Sequence, residues 1–448
     1  PYILRDPAKC ILCGRCIRIC LEVQGLGVLG YVRRGFQSLV APTFGVPFGE
    51  DPLCIRCGQC VSACPVGALT EKLPGGKTVP LEERLEQAYC PLCSVGCPVE
   101  LRSHGSLFTR VTERIVDGFE AAGKAADWLA RPGLGGRLCE KGRFGLPFLD
   151  PELPPALTGP LLDGRPLSRE QAQAHLERVL GSAGKPRLRL SPLLAAEVLD
   201  RFLAFARARG IAVEPHGLAG LESGWTRLLQ AGGAQTAETD RRARRVLILA
   251  GLEKANNVAF TEALALHRAA QARLEFYGRT EPEYARFFER SRAEPERIAE
   301  ALEASNPGEF LEVLVNPEEL LAGAGKQAER SVLAALEQAA ARPGVRITLY
   351  WNSRNAAHLL RSLDGEGAPL EGECDLLLAA GVEPQPERGA EPAVLWAVRP
   401  GARGLFIPLP RAALLAGVST PSGRAVSYTH LRAHETPEHL VCRLLLEK

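Results

Sequence analysis

The chain has no methionine, and its first residue is Pro1. A chain that opens this way is expected to be truncated at its N-terminus, with any targeting signal lost. No apolar run approaches about 18 residues, which excludes a bilayer-spanning helix of ordinary length. Neither sign of charge prevails: 54 Lys and Arg stand against 52 Asp and Glu, a net +2, so composition makes no case for nucleic acid or an anionic membrane surface. No cysteine lies between Cys139 and Cys374. The cysteines that remain stand at three-residue spacing in a long chain, which excludes the disulfide framework of a small secreted domain and points to metal. What is present otherwise fits a soluble globular protein, with 46% apolar and 24% charged residues. A length of 448 residues suffices for about three domains with ample core.

Twelve of the 14 cysteines fall within the first 139 residues, in three groups of four. Cys10, Cys13, Cys16 and Cys20 stand in CILCGRCIRIC, and Cys54, Cys57, Cys60 and Cys64 in CIRCGQCVSACP. Cys90, Cys93 and Cys97 stand in CPLCSVGC, and Cys139 follows in LCEKGRFG. A CxxCxxC loop wraps three thiolates around three iron corners of a 4Fe–4S cubane and takes its fourth ligand from elsewhere. In bacterial two-cluster ferredoxins that ligand comes from the other motif. On this pattern Cys10, Cys13, Cys16 and Cys64 hold one cluster, and Cys54, Cys57, Cys60 and Cys20 the other. Zinc needs only four ligands, typically from two CxxC knuckles, and would leave a surplus cysteine in each loop. Gly14 and Gly58 leave room for backbone N–H groups near the sulfides, where such hydrogen bonds tune the potential.

Along the chain, residues 1–80 are cysteine-rich with apolar runs too short for a core unless the clusters supply one. Residues 81–148 carry the third set around an alternating segment, Val99 to Arg102, that predicts a strand. A proline-rich break at 151–155 precedes a helix start at Ser168, with Gln171 three residues on. From 149 to 425 short β runs alternate with helical stretches; examples are Val246–Ala250, Glu312–Val315, Arg346–Tyr350 and Asp375–Leu378. That alternation predicts a parallel α/β sheet. The run VSYTHLRAHET from Val426 can be back-translated into a transposase sequencing adapter, so residues 426–448 are expected to be a non-native tail. Its histidines His430, His434 and His439 are assigned no function, and Cys442 is suspect with them.

DPAKCILCGRCIRICLEVQG with CGQCVSACPVGALTEK resembles the ferredoxin-like segment of NAD-linked formate dehydrogenase alpha subunits. It is similar also to that of the complex I large iron–sulfur subunit and of NAD-linked hydrogenases. CPLCSVGCP with RLCEKGRFG resembles the four-cysteine lobe of molybdopterin oxidoreductases, and the likeness runs on through LTGPLLDGRPLSREQA. The resemblance implies an α+β ferredoxin-like two-cluster domain (1–80), then a 4Fe–4S lobe (81–148) and a degenerate molybdopterin oxidoreductase-like α/β region (149–425). It implies three 4Fe–4S clusters, a place for molybdopterin (bis-MGD), a cytoplasmic redox complex, and an NAD-binding flavoprotein as partner. In that family the lysine matching Lys141 lies between cluster and pterin; a charged donor to a reduced cluster is the other reading of Lys141.

A working molybdenum or tungsten enzyme of this kind needs a metal ligand downstream, and none stands out. Cys374 opens an apolar run and reads as a core residue; His216 has no neighbouring candidate ligand. Where the family has Asn-Pro after Gly251, this chain has Leu252-Glu253. The expected function is therefore a non-catalytic electron-transfer subunit of an NADH dehydrogenase-, hydrogenase- or formate dehydrogenase-type complex. The alternative is a catalytic molybdopterin-dependent formate dehydrogenase alpha subunit. A free ferredoxin would leave some 300 residues unexplained.

Overall fold

In the computed structural model the described residues are 2–72, 84–113, 137–145 and 160–363, with short gaps inside these stretches, and the strands at 376–380, 394–397 and 405–408. Cys374, Cys442 and the three tail histidines lie outside them.

Strand β1 (Ile3–Arg5), the helical turn α1 (Arg15–Arg18), the hairpin β2 (Leu29–Val32) with β3 (Leu39–Pro42), the turn α2 (Gln59–Ser62) and β4 (Leu69–Glu71) follow in order. Strand β4 returns to pair antiparallel with β1. Each short helix begins at a glycine in the left-handed region, Gly14 at φ 70° and Gly58 at φ 72°, a backbone that a β-carbon would strain. Ile3, Leu29, Val40, Phe48 and Leu69 form the local core, and Cys10, Cys16, Cys20, Cys60 and Cys64 pack into it. The thiols are thus part of the core that the short apolar runs cannot build alone.

Next comes an antiparallel sheet of β5 (Arg84–Tyr89), β6 (Pro98–His104) and β7 (Leu107–Glu113). The alternating segment Val99 to Arg102 lies within β6; Val99 and Leu101 are buried, as period-two alternation requires. Cys139 then caps the short helix α3 (Glu140–Phe144).

Residues 160–231 hold β8 (Leu161–Leu162), β9 (Arg165–Pro166), α4 (Arg169–Ser182), β10 (Pro186–Leu190), α5 (Ala196–Arg209), β11 (Ala212–Pro215) and α6 (Gly224–Gln230). The predicted helix start is present: the Gln171 N–H donates to Ser168 Oγ at 3.2 Å, and the Ser168 N–H donates back to Gln171 Oε1 at 2.9 Å.

A second α/β run follows. It comprises β12 (Ala234–Gln235), β13 (Arg245–Leu249), α7 (Leu252–Ala255), α8 (Asn257–Ala270), β14 (Arg273–Tyr277), β15 (Arg290–Ala293), α9 (Ile298–Glu303), β16 (Leu311–Val315), α10 (Pro317–Ala324), α11 (Lys326–Ala340) and β17 (Val345–Leu349). Its strands form an all-parallel sheet ordered β12-β17-β16-β13-β14-β15. Every residue of β13 and β16 is buried, which a parallel strand covered on both faces demands. The chain ends its described course with α12 (Ala356–Ser362), β18 (Leu376–Ala380), β19 (Val394–Ala397) and β20 (Leu405–Pro408). These strands join β10 and β11 in a parallel sheet that β8 and β9 extend antiparallel.

The chain groups into two compact units, residues 1–151 with 232–352 and residues 152–231 with 353–448. The stretch 149–425, read as an α/β region, contributes strands to two sheets, one in each unit. All twelve N-terminal cysteines belong to the first unit, with the six-stranded sheet.

Candidate metal centres

Cys10, Cys13, Cys16 and Cys64 line one cavity, walled by Ile11, Val40, Pro65 and Leu69. Cys20, Cys54, Cys57 and Cys60 line a second, walled by Ile3, Leu26, Leu29 and Phe48. Each group of four combines three cysteines of one loop with the last cysteine of the other, the crossed grouping read from the sequence. None of the twelve N-terminal cysteines is in a disulfide. Among the described residues no three or more His, Cys, Asp or Glu side chains close on a single metal ion; each set of four surrounds a space instead.

Burial pushes the Cys57 thiol up to about 12 and the Cys60 thiol well above its ordinary value, and neighbouring sulfurs push both further. Burial also raises Cys16 and Cys20. At Cys64 burial acts upward too, but the backbone N–H groups of Val66, Leu69, Ala68 and Gly67 outweigh it and favour the thiolate. The fit to a polynuclear iron centre follows from this donor set. The walls are largely apolar, several thiols ring one space, and a cationic metal core would offset the charge that burial and mutual repulsion oppose.

The third set is the most enclosed. Cys90, Cys93, Cys97 and Cys139 are all buried. The Cys90 N–H donates to the Cys97 carbonyl at 2.9 Å, closing the loop. Burial lifts Cys93 to about 11 and Cys97 well above its ordinary value, and Cys97 feels Cys93, Cys90 and Cys139. The four sulfurs therefore share one neighbourhood. Burial raises Cys139 as well, against the N–H groups of Gly142 and Lys141 and the Lys141 charge. Lys141 itself is exposed; its charge favours the thiolates of Cys93 and Cys139.

Two groups that sequence reasoning missed tie this set to the six-stranded sheet. Ser94 and Trp351 bond reciprocally: the Ser94 N–H donates to the Trp351 carbonyl at 3.0 Å, and the Trp351 N–H to Ser94 Oγ at 2.9 Å. The Asn256 amide donates to the Trp351 carbonyl at 3.1 Å and to the Cys93 sulfur.

Helix α3 bridges the second and third sets. Glu140, Arg143 and Phe144 share one face of the helix, at i, i+3 and i+4. Glu140 pairs with Arg56 at 2.8 Å, Phe144 stacks on Tyr2 at 4.7 Å, and Arg143 Nε donates to the Cys57 carbonyl at 2.9 Å. Cys139 and Gly142 turn to the third set, where a β-carbon on Gly142 would lie 3.3 Å from Cys90 Sγ.

The crevice where the six-stranded sheet reverses its order, between β13 and β16, is the usual cofactor place of such folds. Here protein fills it. A β-carbon on Gly251 would overlap Glu319. The Asn316 amide donates to Asn256 Oδ1 at 2.8 Å and to Asn352 Oδ1 at 2.9 Å, and Asn352 donates to Glu319 at 2.9 Å through its side chain and to Glu318 at 2.7 Å through its backbone. Burial, aided by the Glu319 charge, raises Glu318 to about 7 against the Asn352 N–H. A pyrophosphate would meet two carboxylates and an occupied glycine turn, so the residues present do not suit a pterin dinucleotide at this crevice. His216 sits in the other unit beside Arg189 and Glu214, and burial lowers it.

Family models match two of the three cysteine-bearing stretches. A 4Fe–4S binding domain matches residues 52–70, and a molybdopterin oxidoreductase Fe4S4 domain matches residues 83–150. Over part of its length the chain is similar to subunits of NADH-quinone oxidoreductases, of an NADPH-Fe(3+) oxidoreductase and of an NADP-reducing hydrogenase. It is 34% identical over 214 residues to an NADH-quinone oxidoreductase subunit of Rhizobium meliloti, covering 46% of this chain and 23% of that protein. Identity is 30% over 165 residues to the alpha subunit of the NADPH-Fe(3+) oxidoreductase of Geobacter sulfurreducens, covering 37% of this chain and 17% of that one. Over 69 residues it is 52% identical to the HndD subunit of the NADP-reducing hydrogenase of Solidesulfovibrio fructosivorans, 15% of this chain and 12% of the relative. The chain thus spans less than a quarter of each of these relatives. Among the described residues no helix is long and apolar enough to cross a membrane.

Proposed function

We propose that the chain is an iron–sulfur electron-transfer subunit of an NADH dehydrogenase-, hydrogenase- or formate dehydrogenase-type complex, with no catalytic centre of its own. Cys10, Cys13, Cys16 and Cys64 hold one 4Fe–4S cluster, Cys20, Cys54, Cys57 and Cys60 a second, and Cys90, Cys93, Cys97 and Cys139 a third. The observation that carries this is the grouping of twelve cysteines into three sets of four, the first two lining apolar cavities and the third wholly buried. A bound cluster of this kind exchanges single electrons at a potential set by its ligands, their hydrogen bonds and its exposure to solvent. The chain's own part is to exclude water, to aim amide donors such as those beside Cys64 at the sulfurs, and to hold the three sets in one unit. The partner is an NAD-binding flavoprotein of the same complex, and the compartment is the cytoplasm.

A catalytic formate dehydrogenase is the weaker reading, because the crevice beside the third set is filled by Asn256, Asn316, Asn352 and Glu319. Metal analysis of the anaerobically purified chain separates the two. Iron without molybdenum or tungsten is the expected result; one molybdenum or tungsten per chain would overturn the non-catalytic assignment.

A further inference from the structure

The two ferredoxin-like loops share one backbone. Leu12 and Gly14 of the first lie at φ 56° and 70°, Arg56 and Gly58 of the second at φ 52° and 72°, and each glycine opens a four-residue helix. With the backbone matched, the two sites differ in what stands on the glycine. At Gly14 it is Tyr31, whose hydroxyl lies 2.8 Å from where a β-carbon would be and donates to the Leu12 carbonyl at 2.8 Å. Tyr31 is 56% exposed. At Gly58 it is Arg143, whose Cδ and Nε fill the space a β-carbon would take. Its side chain is 1% exposed.

Arg143 is held from several sides. Its Nε donates to the carbonyl of Cys57, Nη2 to Ser62 Oγ at 3.1 Å, Nη1 to Glu71 at 2.9 Å, and Nη2 also to Glu113. The arginine comes from α3, the turn that begins at Cys139, so one residue couples the loop of the second set to a member of the third. Arg143 is a buried cation hydrogen-bonded directly to a cysteine of the second loop; buried Asp51 faces Cys20 of the same set. A fixed cation in a site shielded from water stabilises the reduced, more negative state of a neighbouring redox group. At the other loop an exposed tyrosine takes the place on the glycine, and Arg5, which lines that cavity, donates to the Val40 carbonyl rather than to the cysteine loop.

We propose that Arg143 is a positioning residue that sets the potential of the cluster held by Cys20, Cys54, Cys57 and Cys60 above that of its twin held by Cys10, Cys13, Cys16 and Cys64, and so gives the relay a direction toward the third set. The proposal rests on the ligation assigned under Proposed function. The two carboxylates keep the guanidinium in place; formally they outnumber its charge, so its effect on the second set comes from its position, with Nε on the Cys57 carbonyl and the carboxylates on its far nitrogens.

The test is an EPR-monitored redox titration of the full chain with clusters intact, reduced stepwise by dithionite. The second cluster's signal is assigned by its loss in Cys54→Ser. Arg143→Gln is expected to make that cluster at least tenfold harder to reduce, about 59 mV for a one-electron couple, while the other two midpoints stay in place. Arg143→Lys retains most of the wild-type value, and Tyr31→Phe moves nothing. Glu71→Gln, which leaves the arginine buried, moves the same signal the opposite way and serves where Arg143→Gln does not fold. Unchanged midpoints in Arg143→Gln, equal shifts of all three signals, or no upward shift in Glu71→Gln would overturn the proposal. A wild-type chain without three signals would instead overturn the ligation on which it rests.

Discussion

A thiol driven up to about 12 at Cys57 or about 11 at Cys93 stays protonated at neutral pH unless something positive meets the sulfur. At several of these thiols burial, which opposes the thiolate, contends with amide donors, which favour it; at Cys64 the donors win unaided. The cysteine sets were legible in the sequence because they repeat one residue type at fixed short spacing. Arg143, Ser94 and Asn256 were not, because their partners lie far away along the chain: Arg143 bonds Cys57 across 86 positions, and Ser94 bonds Trp351 across 257. No local pattern announces such a contact. The buried carboxyl of Glu318 gives a prediction at this scale. Its value rises from the ordinary 4.5 to about 7 in the folded chain, so the folded state holds the extra proton. Its contribution to stability is full below about pH 4.5 and is lost as pH rises through about 7. The loss is about 2 kcal/mol, allowing for partial screening. Urea midpoints across pH 4.5–8 should show a decline in the wild type that Glu318→Gln removes.

The elements with functional meaning are very short. The loops that precede α1 and α2 carry most of the chemistry, and α3 is one turn and a half whose two faces serve different cysteine sets. The Ser168 capping box, the strand around Val99 and the buried runs of β13, β16 and β17 were readable, because caps and hydrophobic period are local signals. The crossed grouping in the two cavities was readable only through its likeness to two-cluster ferredoxins, since the pairing of β1 with β4 that closes the domain is non-local. That grouping predicts an exchange between loops. Cys64→Ser should weaken or remove the signal of the Cys10, Cys13, Cys16 cluster and spare that of Cys54, Cys57 and Cys60, whereas Cys20→Ser should do the reverse. EPR spectra of the two variants, matched against Cys13→Ser and Cys57→Ser, check it; loss of the signal belonging to each mutated residue's own loop would refute the crossing.

At the scale of the whole molecule, the chain leaves the unit that holds its cysteines near residue 151, returns near 232 and leaves again near 352. A sequence reading by composition sees one continuous α/β stretch there, because both sheets are parallel and both alternate with helices in the same way. What distinguishes them is strand order, which depends on pairings between distant segments. The sheet that returns brings Asn256, Asn316, Trp351 and Asn352 beside the third cysteine set and fills the crevice at its own switch point. The measurement that bears most directly on this account is a Mössbauer and iron–sulfide determination on the anaerobically purified full chain, paired with an EPR redox titration. The account predicts about twelve iron atoms per chain, all in 4Fe–4S form, and three separable one-electron signals. Fewer than three such clusters, or iron present as isolated ions, would contradict it.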